Sequence, residues 1–411
     1  MTADTGHGGN LKLDETSILI TDVDRRKALP IIRSLGRAGV RVIGLSPVGF
    51  PVGGLSRYCA QTLRCPDYKK SPDEFIAFVK QTCESYRPTV FLPLEDTAIE
   101  LCLAHPECWE PYSRAILPSR EVMEISYDKW KTFQLANEVG VPIPASHCPE
   151  SVEQVRDLVR DWQGGAVIKP RKTSGSRGML YVDRPDQLEA AWVEVSRDYP
   201  RPMIQERVAA SGEGLGVFVL IDEHDELVAL FGHKRLREYP IAGGPSTLRV
   251  SHRDDALVEQ SLRLLRAMNF RGVAMVEFKV DPARGEPVLM EVNPRFWGSV
   301  ALAVASGVDF PLLYHRAAAR IPQSPVPELL DESGSDAHGS QLLSLLRTQS
   351  LLRHLVAQGS SADARHLDRV AAANHGAVFV VGVVGVVGRL ASGMMTSEII
   401  RANARSPASL K

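Results

Sequence analysis

One stretch constrains this chain more than any other: residues 272–299, which read GVAMVEFKVDPARGEPVLMEVNPRFWGS. Two apolar runs flank a turn built from Asp281, Pro282 and Gly285, so the segment is expected to form a hairpin. Glu277 lies on its first strand, Glu291 and Asn293 on its second. Side chains alternate along a strand, so Glu291 and Asn293 share a face. If the strands pair symmetrically about residues 283–285, Glu277 falls opposite Glu291, and two carboxylates and an amide oxygen converge on one spot. Acids among apolar residues are costly unless something pairs with them, and oxygen donors with room for water and phosphate suit Mg²⁺. Arg295 would stand at the edge of the same spot, where a guanidinium fork suits phosphate. A solvated strand face with one structural acid explains a single carboxylate better than it explains three oxygen donors and an arginine in phase.

At 411 residues the chain is too long for one ordinary domain and suggests two or three. Its hydrophobic fraction of 44% and charged fraction of 24% are those of a soluble globular protein. A formal net charge of -1 gives no electrostatic case for a nucleic-acid partner or an anionic membrane. The six cysteines, Cys59, Cys65, Cys83, Cys102, Cys108 and Cys148, show no zinc spacing and read as reduced thiols of a cytoplasmic protein. The polar start, residues 1–16, has no basic segment followed by an apolar one; it reads as disordered rather than as a signal peptide. The eleven histidines show no metal spacing either, and His233 and His315 read as structural or surface residues.

The organisation is of the α/β class. Residues 17–120 alternate short apolar strands (17–20, 41–45, 88–94) with helices (28–38, 72–86), which implies a parallel sheet covered on both faces. This resembles a Rossmann-like domain, but the first strand runs into TDVDRRKAL without GxGxxG, so dinucleotide binding is poorly supported. Residues 119–140 read as one capped helical stretch carrying Lys129 and Lys131. A mixed second domain runs to residue 320, with a lid at about 140–205, followed by a linker over 321–340 and a tail over 341–411. Within the tail, residues 370–388 carry no charge and are rich in Val and Gly. Their length is near the lower limit for a membrane span, but Asn374, His375 and four glycines favour a buried or self-associating tail over membrane contact.

Residues 166–181, AVIKPRKTSGSRGMLY, read as strand, basic glycine-rich turn and strand. Gly175 and Gly178 let the backbone turn its amides toward a ligand, and Thr173, Ser174 and Ser176 add hydroxyls, so the loop can cover phosphates. It is not a P-loop, and glycine-rich turns often do no more than connect strands. Lys169 strengthens the case, because an ammonium on a buried strand calls for an anion; the alternative is a lysine that snorkels or pairs with a carboxylate. Downstream, the backbone near Val208 and the carboxylate of Glu206 can meet an adenine edge, and Glu213 can accept from ribose hydroxyls, although each acid alone would read as an ordinary surface residue.

In order and spacing, DKWKTFQLANEVGVPIP, VIKPRKTSGSRGM, QERVAASGEG and VEFKVDPARGEPVLMEVNPRFWGS resemble the ATP-grasp superfamily, in its carboxylate-amine ligase, biotin carboxylase and carbamoyl phosphate synthetase-like branch. The resemblance covers residues 17–320 and implies a Rossmann-like N-terminal domain followed by a two-lobed ATP-grasp α+β domain. It further implies that Lys129 and Lys169 contact ATP, that Ser174, Gly175, Ser176 and Gly178 form the phosphate lid, that Glu206 and Val208 meet adenine and that Glu213 meets the ribose. Glu277, Glu291 and Asn293 would hold one or two Mg²⁺ ions, with Mn²⁺ as a substitute. Arg295 would stabilise the transferred phosphoryl group, and Arg235 in FGHKRLREYP would face the reacting centre.

The activity so implied is ATP-dependent C–N ligation: a carboxylate attacks the γ-phosphate, and an amine then displaces phosphate from the acyl phosphate. The absence of a Ser/His/Asp or Cys/His constellation agrees with this. A bicarbonate-activating carboxylase or carbamoyl phosphate-type enzyme and a non-catalytic ATP-binding module are the alternatives. Small-molecule carboxylate and amine substrates are the expected partners, and a homodimer is compatible with the pattern.

Overall fold

The computed structural model describes residues 12–161, 165–173, 177–209, 212–238, 246–282 and 284–322. The expectations for residues 1–11, for Ser174, Gly175 and Ser176, and for the linker and tail beyond residue 322 lie outside the described residues. Residues 12–16, assigned above to a disordered start, are instead ordered: Leu13–Glu15 form a 3-10 turn, and the Thr16 hydroxyl sits 2.8 Å from His315 Nε2. The buried Thr16 side chain anchors this end against the helix Phe310–Ala319.

The first sheet contains β1 (Ser17–Ile20), β2 (Arg41–Ser46), β3 (Gln61–Arg64) and β4 (Val90–Leu92) in the order β3-β2-β1-β4, all parallel. The chain winds outward from β1 to β3 and then returns to β4 on the other side of β1. The order therefore reverses between β1 and β4, and their C-terminal ends open a crevice of the kind where ligands bind in such sheets. Residues 21–27 follow β1, and Glu95 and Asp96 follow β4, so both charged segments lie at that crevice.

The stretch 119–140 is not one helix but two, Arg120–Tyr127 and Lys129–Glu138. Asp128 separates them in extended conformation, and its carboxylate accepts from Trp130 N at 3.2 Å, capping the second helix. The cap places Lys129 at the first position of that helix.

A second sheet, β5 (Ser146–His147), β6 (Ala166–Lys169), β7 (Leu180–Val182) and β8 (Met203–Glu206), runs β5-β8-β6-β7 and is antiparallel. Its core, with Val155, Ile168, Leu188, Trp192 and Ile204, is its own.

The third sheet, β9 (Gly214–Ile221), β10 (Leu227–Glu238), β11 (Ser246–Ser251), β12 (Gly272–Asp281) and β13 (Glu286–Asn293), runs β11-β10-β9-β12-β13 and is also antiparallel. Both faces are apolar. Phe218, Leu220, Ala229, Phe231 and Val273 pack with the first domain around Trp297, Phe310 and Tyr314. Leu215, Val217, Val219, Ala274 and Val276 pack against Phe133, Leu264 and Leu265 on the other side. Alternation along each strand produces this division.

The hairpin pairs Glu277 with Glu291 and Met275 with Asn293, but not through a symmetric turn. From Asp281↔Glu286 to Phe278↔Leu289 the register would lead on to Met290, and a bulge there carries Glu291 into the place opposite Glu277. An unbulged hairpin of this length would turn Glu291 and Asn293 to the other face.

Close approach at Gly232 gives a test of the sheet. A Cβ on Gly232 would collide with the backbone carbonyl of His252, which accepts no easy shift because His252 N donates to Gly232 O at 3.0 Å. Gly232→Ala should lower stability by about 1–3 kcal/mol in urea unfolding, the cost of overpacking; an unchanged midpoint would contradict the β10–β11 register.

Candidate functional site

The acids of the hairpin lie on the face of the third sheet that meets the first domain. Arg235, on β10, reaches across Gly216 of β9 to Glu277, with Nη2 at 2.5 Å from Oε2. Glu291 accepts from Asn293 Nδ2 at 2.9 Å, and Asn293 Oδ1 accepts from Arg295 Nη2 at 3.2 Å. The four polar residues expected together from the hairpin thus stand in two contact groups, Glu277 with Arg235 and Glu291 with Asn293 and Arg295, set side by side where Glu277 pairs with Glu291 across the strands.

Arg295 is fixed from the other domain: its Nε donates to Asp96 Oδ1 at 2.7 Å. Beside it Lys27 is buried, donates to the carbonyls of Leu94 at 2.6 Å and Phe296 at 2.9 Å, and pairs with Glu95 at 2.9 Å. Burial first, and the Arg295 charge second, push the Lys27 amine down to about 8. Burial works to raise Glu95, but Lys27 and the neighbouring arginines hold its carboxyl below the usual range. Lys27 carried no sequence signal of its own, because nothing in a local pattern reports that two segments far apart meet at one arginine.

Lys169 ends β6 with its side chain only 4% exposed, and its Nζ donates to Gln205 Oε1 at 2.5 Å. It does not snorkel, and among the described residues it makes no carboxylate ion pair. Burial pushes its amine down to about 8, and Glu291 is the charge that opposes this. Gln205 is itself oriented by donating to Ser146 Oγ at 2.8 Å. Lys129 is also lowered by burial, with Glu291 again the first opposing charge, so both lysines face the acid array. Its Nζ donates to the carbonyl of Thr173, and Asp128 pairs with Arg171 through both guanidinium arms. The start of the helix Lys129–Glu138 is thereby tied to the glycine-rich turn. In that turn Gly178 has φ 73°, and a Cβ there would meet the Tyr199 ring, so the turn needs glycine at this point.

The remaining candidates lie farther along. Glu206 closes β8 with its carboxylate on Arg284 at 2.6 Å and on Ala145 N at 3.3 Å. Val208 follows two residues later and is half-buried. Glu213 is exposed, and its carboxylate pairs with Lys234 at 2.5 Å, a rim ion pair of small energetic weight. A separate surface cleft of about 510 Å³ is lined by Trp130, Phe133, Ile143, Ser146, His147 and Arg284, and includes none of the carboxylates or lysines above.

Among the described residues no group of three His, Cys, Asp or Glu side chains is placed to hold a metal ion. The hairpin supplies two carboxylates and an amide. That set fits Mg²⁺, which binds through one or two carboxylates and takes its other oxygens from phosphate and water. Two lysines with lowered amines, Lys169 buried and Lys129 half-buried, face those acids and add a place for an anion.

Residues 128–323 match the family model described as the carbamoyl-phosphate synthase L chain, ATP binding domain. The chain is 25% identical over 217 residues to an acetyl-CoA carboxylase of Dictyostelium discoideum, covering 50% of this chain and 9% of that protein. It is also 25% identical over 174 residues to the carbamoyl phosphate synthase large chain of Methanobrevibacter smithii, covering 41% of this chain and 16% of that one. It thus spans less than a fifth of the length of either relative. Among solved structures, biotin carboxylase of Campylobacter jejuni superposes with a TM-score of 0.62 at 19% identity, covering 75% of this chain and 72% of that chain. N5-carboxyaminoimidazole synthetase of Staphylococcus aureus gives 0.61 at 14% identity, covering 78% and 81%. An L-amino acid ligase of Bacillus licheniformis gives 0.56 at 18%, covering 75% of each chain.

The depressed amine of Lys169 has a measurable sign. Unfolded, the lysine returns to its ordinary 10.5, so between about 8 and 10.5 the unfolded chain binds more protons and stability rises with pH. In urea unfolding at several pH values across that window, Lys169→Met should rise less steeply than the wild type, with Lys27, Lys129 and Arg249 contributing to the remaining slope; parallel curves would show that Lys169 is not held in the described environment.

Proposed function

Residues 128–323 place this chain in the ATP-grasp superfamily, and from that premise we propose that it is an ATP- and Mg²⁺-dependent ligase that activates a carboxylate as an acyl phosphate for attack by an amine. The observation that carries the reading is the pairing of Glu277 with Glu291 on one face, with Arg235 and Arg295 attached to the same array and the buried Lys169 facing it.

In this reading Lys129 and Lys169 bind the nucleotide phosphates beneath a turn made by Ser174, Gly175, Ser176 and Gly178. Val208 and Glu206 border adenine, and Glu213 borders the ribose. Arg284 already holds Glu206 and Lys234 already holds Glu213, so each acid would exchange a solvent-facing ion pair for a nucleotide contact. Glu277, Glu291 and Asn293 would hold the magnesium, one ion or two, which when bound neutralises charge between the phosphates.

A carboxylate oxygen attacks the γ-phosphorus, and the bond from that phosphorus to the bridging oxygen breaks, releasing ADP. The amine nitrogen then attacks the acyl carbon, phosphate departs, and the nitrogen loses a proton. Arg295, its guanidinium fixed by Asp96 and Asn293, would face the charge that grows on the transferred group without having to reorient. The match to a carbamoyl-phosphate synthase domain favours bicarbonate as a second candidate for the activated carboxylate.

A cytoplasmic homodimer belongs to the same proposal. It is supported by six free thiols, and by likeness to the biotin carboxylase domain of Hydrogenobacter thermophilus 2-oxoglutarate carboxylase, which was solved as a dimer. No helix among the described residues is long and apolar enough to cross a membrane.

ADP release measured across pairs of carboxylates and amines, with bicarbonate as one arm, tests the reading. Release should need a substrate and Mg²⁺, and Glu291→Ala should slow it by about a hundredfold or more. Bicarbonate alone as the productive carboxylate would select the second candidate. ATP binding without release on any pair, unaltered by Glu291→Ala, would leave a nucleotide-binding module.

A further inference from the structure

At the crevice between β1 and β4 most of the charged side chains are already satisfied. Lys27 donates to Leu94 and Phe296 and pairs with Glu95, and Arg295 is held by Asp96 and Asn293. Asp22 is buried, and its carboxylate accepts from Thr21 Oγ1 at 2.5 Å and from the Tyr68 hydroxyl at 2.8 Å. Two groups differ. The guanidinium of Arg25 makes no hydrogen bond among the described residues: its Nε is buried without a hydrogen-bond partner, and its one ion pair, to Asp24, is 3.5 Å long. Glu95 meets Lys27 through Oε1 at 2.9 Å, and no other described residue forms a hydrogen bond or ion pair with its carboxylate.

Local structure sets both groups in place. Asp22 turns the chain at the end of β1 with φ 57°, a conformation costly for a residue other than glycine, and Arg25 N donates to the Asp22 carbonyl at 2.8 Å. Thr21 N donates to the Leu92 carbonyl at 3.1 Å, so the segment after β1 runs beside the segment after β4, where Glu95 precedes the helix Asp96–Ala104. Both side chains reach solvent, Arg25 being 39% and Glu95 29% exposed. Each favours the charged form of the other, yet no ion pair joins them. Their surroundings give the pair a direction. Asp24, beside Arg25, accepts from Ser46 at the end of β2 at 3.1 Å, on the side of β1 away from β4. Glu95 is the end nearer the hairpin, because its partner Lys27 donates to Phe296 and its neighbour Asp96 holds Arg295.

We propose that this crevice binds an α-amino acid, its carboxylate on the guanidinium of Arg25 and its ammonium on Glu95, and that this amino acid is the amine substrate. The proposal rests on the ligase reading above. A cation and an anion that attract without touching are bridged by a ligand that carries both charges in the opposite order, and the planar fork of an arginine suits a carboxylate. A simple anion would satisfy Arg25 but be repelled by Glu95, and a simple amine would meet the reverse. The polarity of the pair also orients the ligand. Its nitrogen lies on the side of Arg295 and the hairpin acids, and its carboxylate points toward β2, away from the phosphoryl group. The ammonium gives one proton to water, its nitrogen bonds to the acyl carbon as the bond from that carbon to the phosphate oxygen breaks, and the departing phosphate takes a second proton. The product is an amide in which the amino acid keeps its free carboxylate.

The test compares ADP release on the common amino acids with release on ethylamine, ethanolamine and glycinamide, which lack the carboxylate, each across a carboxylate panel. In the wild type the best amino acid should have a higher kcat/KM than every amine without a carboxylate. Arg25→Gln should raise KM for that amino acid by about tenfold to a hundredfold, the value of a charged hydrogen-bond pair, and leave KM for ATP and for ethylamine unchanged. Arg25→Lys, which keeps the charge in the event that the glutamine variant does not fold, should restore only part of the preference. Equal turnover of both classes of amine, or an equal KM change for both, would overturn the site while leaving the ligase intact. Mass spectrometry of the product supports the assignment if the amide lies at the amino acid's nitrogen, and overturns it if the amino acid's own carboxylate has been activated. Calorimetric titration of the same amino acids in the presence of Mg²⁺ and a non-hydrolysable ATP analogue reads the site without turnover. Binding that Arg25→Gln weakens supports it; binding that the variant leaves unaltered, or no binding of any of them to the wild type, overturns it whatever ADP release shows about the ligase.

Discussion

Two carboxylates set opposite one another in a sheet repel, and the molecule around residues 277 and 291 is organised to tolerate that repulsion. Arg235 takes the charge of Glu277 from one side, Asn293 donates to Glu291 from its own strand, Lys169 approaches from the neighbouring sheet and Lys129 from the start of the helix Lys129–Glu138. The compensation is uneven. Glu277 has a guanidinium in contact, whereas Glu291 is met by an amide and by two amines whose own protonation burial opposes. Two amines whose charged forms burial disfavours, set within range of two carboxylates, gain most when a polyanion and a divalent cation enter together.

The same array explains why the two domains meet where they do. Arg295 ends the hairpin but takes Asp96 from the first domain, and Lys27 from the first domain takes the carbonyl of Phe296 from the second. These contacts close over a hydrophobic core that both domains share, with Phe218 stacked on Trp297 at 4.3 Å and Trp297 set edge-on to Phe310 at 4.9 Å. The crevice made by strand reversal between β1 and β4 is therefore not an independent ligand site of a separate domain. It is one wall of the site whose floor is the third sheet.

What sequence reasoning could reach followed from period and spacing. The alternation in 272–299 was enough to put Glu291 and Asn293 on one face, because side-chain direction in a strand repeats every two residues, and an assumed symmetric pairing brought Glu277 opposite Glu291. The route was not legible: the register depends on a bulge at Met290, and nothing in PVLMEVN marks which residue is skipped. The break at Asp128 was readable after the fact as a helix cap but is indistinguishable, in a helical run, from a solvent-facing acid. Lys27 and Arg249 escaped altogether. Their environments are made by segments distant in the chain, and a single sequence reports such meetings only where a local pattern requires them.

The separation of hydrophobic cores also divides the molecule by stiffness. The first domain and the third sheet cannot part without wetting Phe218, Trp297, Phe310 and Tyr314, whereas the β5–β8 sheet has a core of its own and meets the rest through Met203 and through hydrogen bonds and ion pairs such as Asp128 with Arg171, Lys129 with Thr173 and Glu206 with Arg284. Polar ties exchange for water at small cost, and apolar ones do not. Displacement is cheapest along that seam, so the amines of Lys129 and Lys169 lie on either side of a joint that opens with less apolar exposure than the core around Trp297.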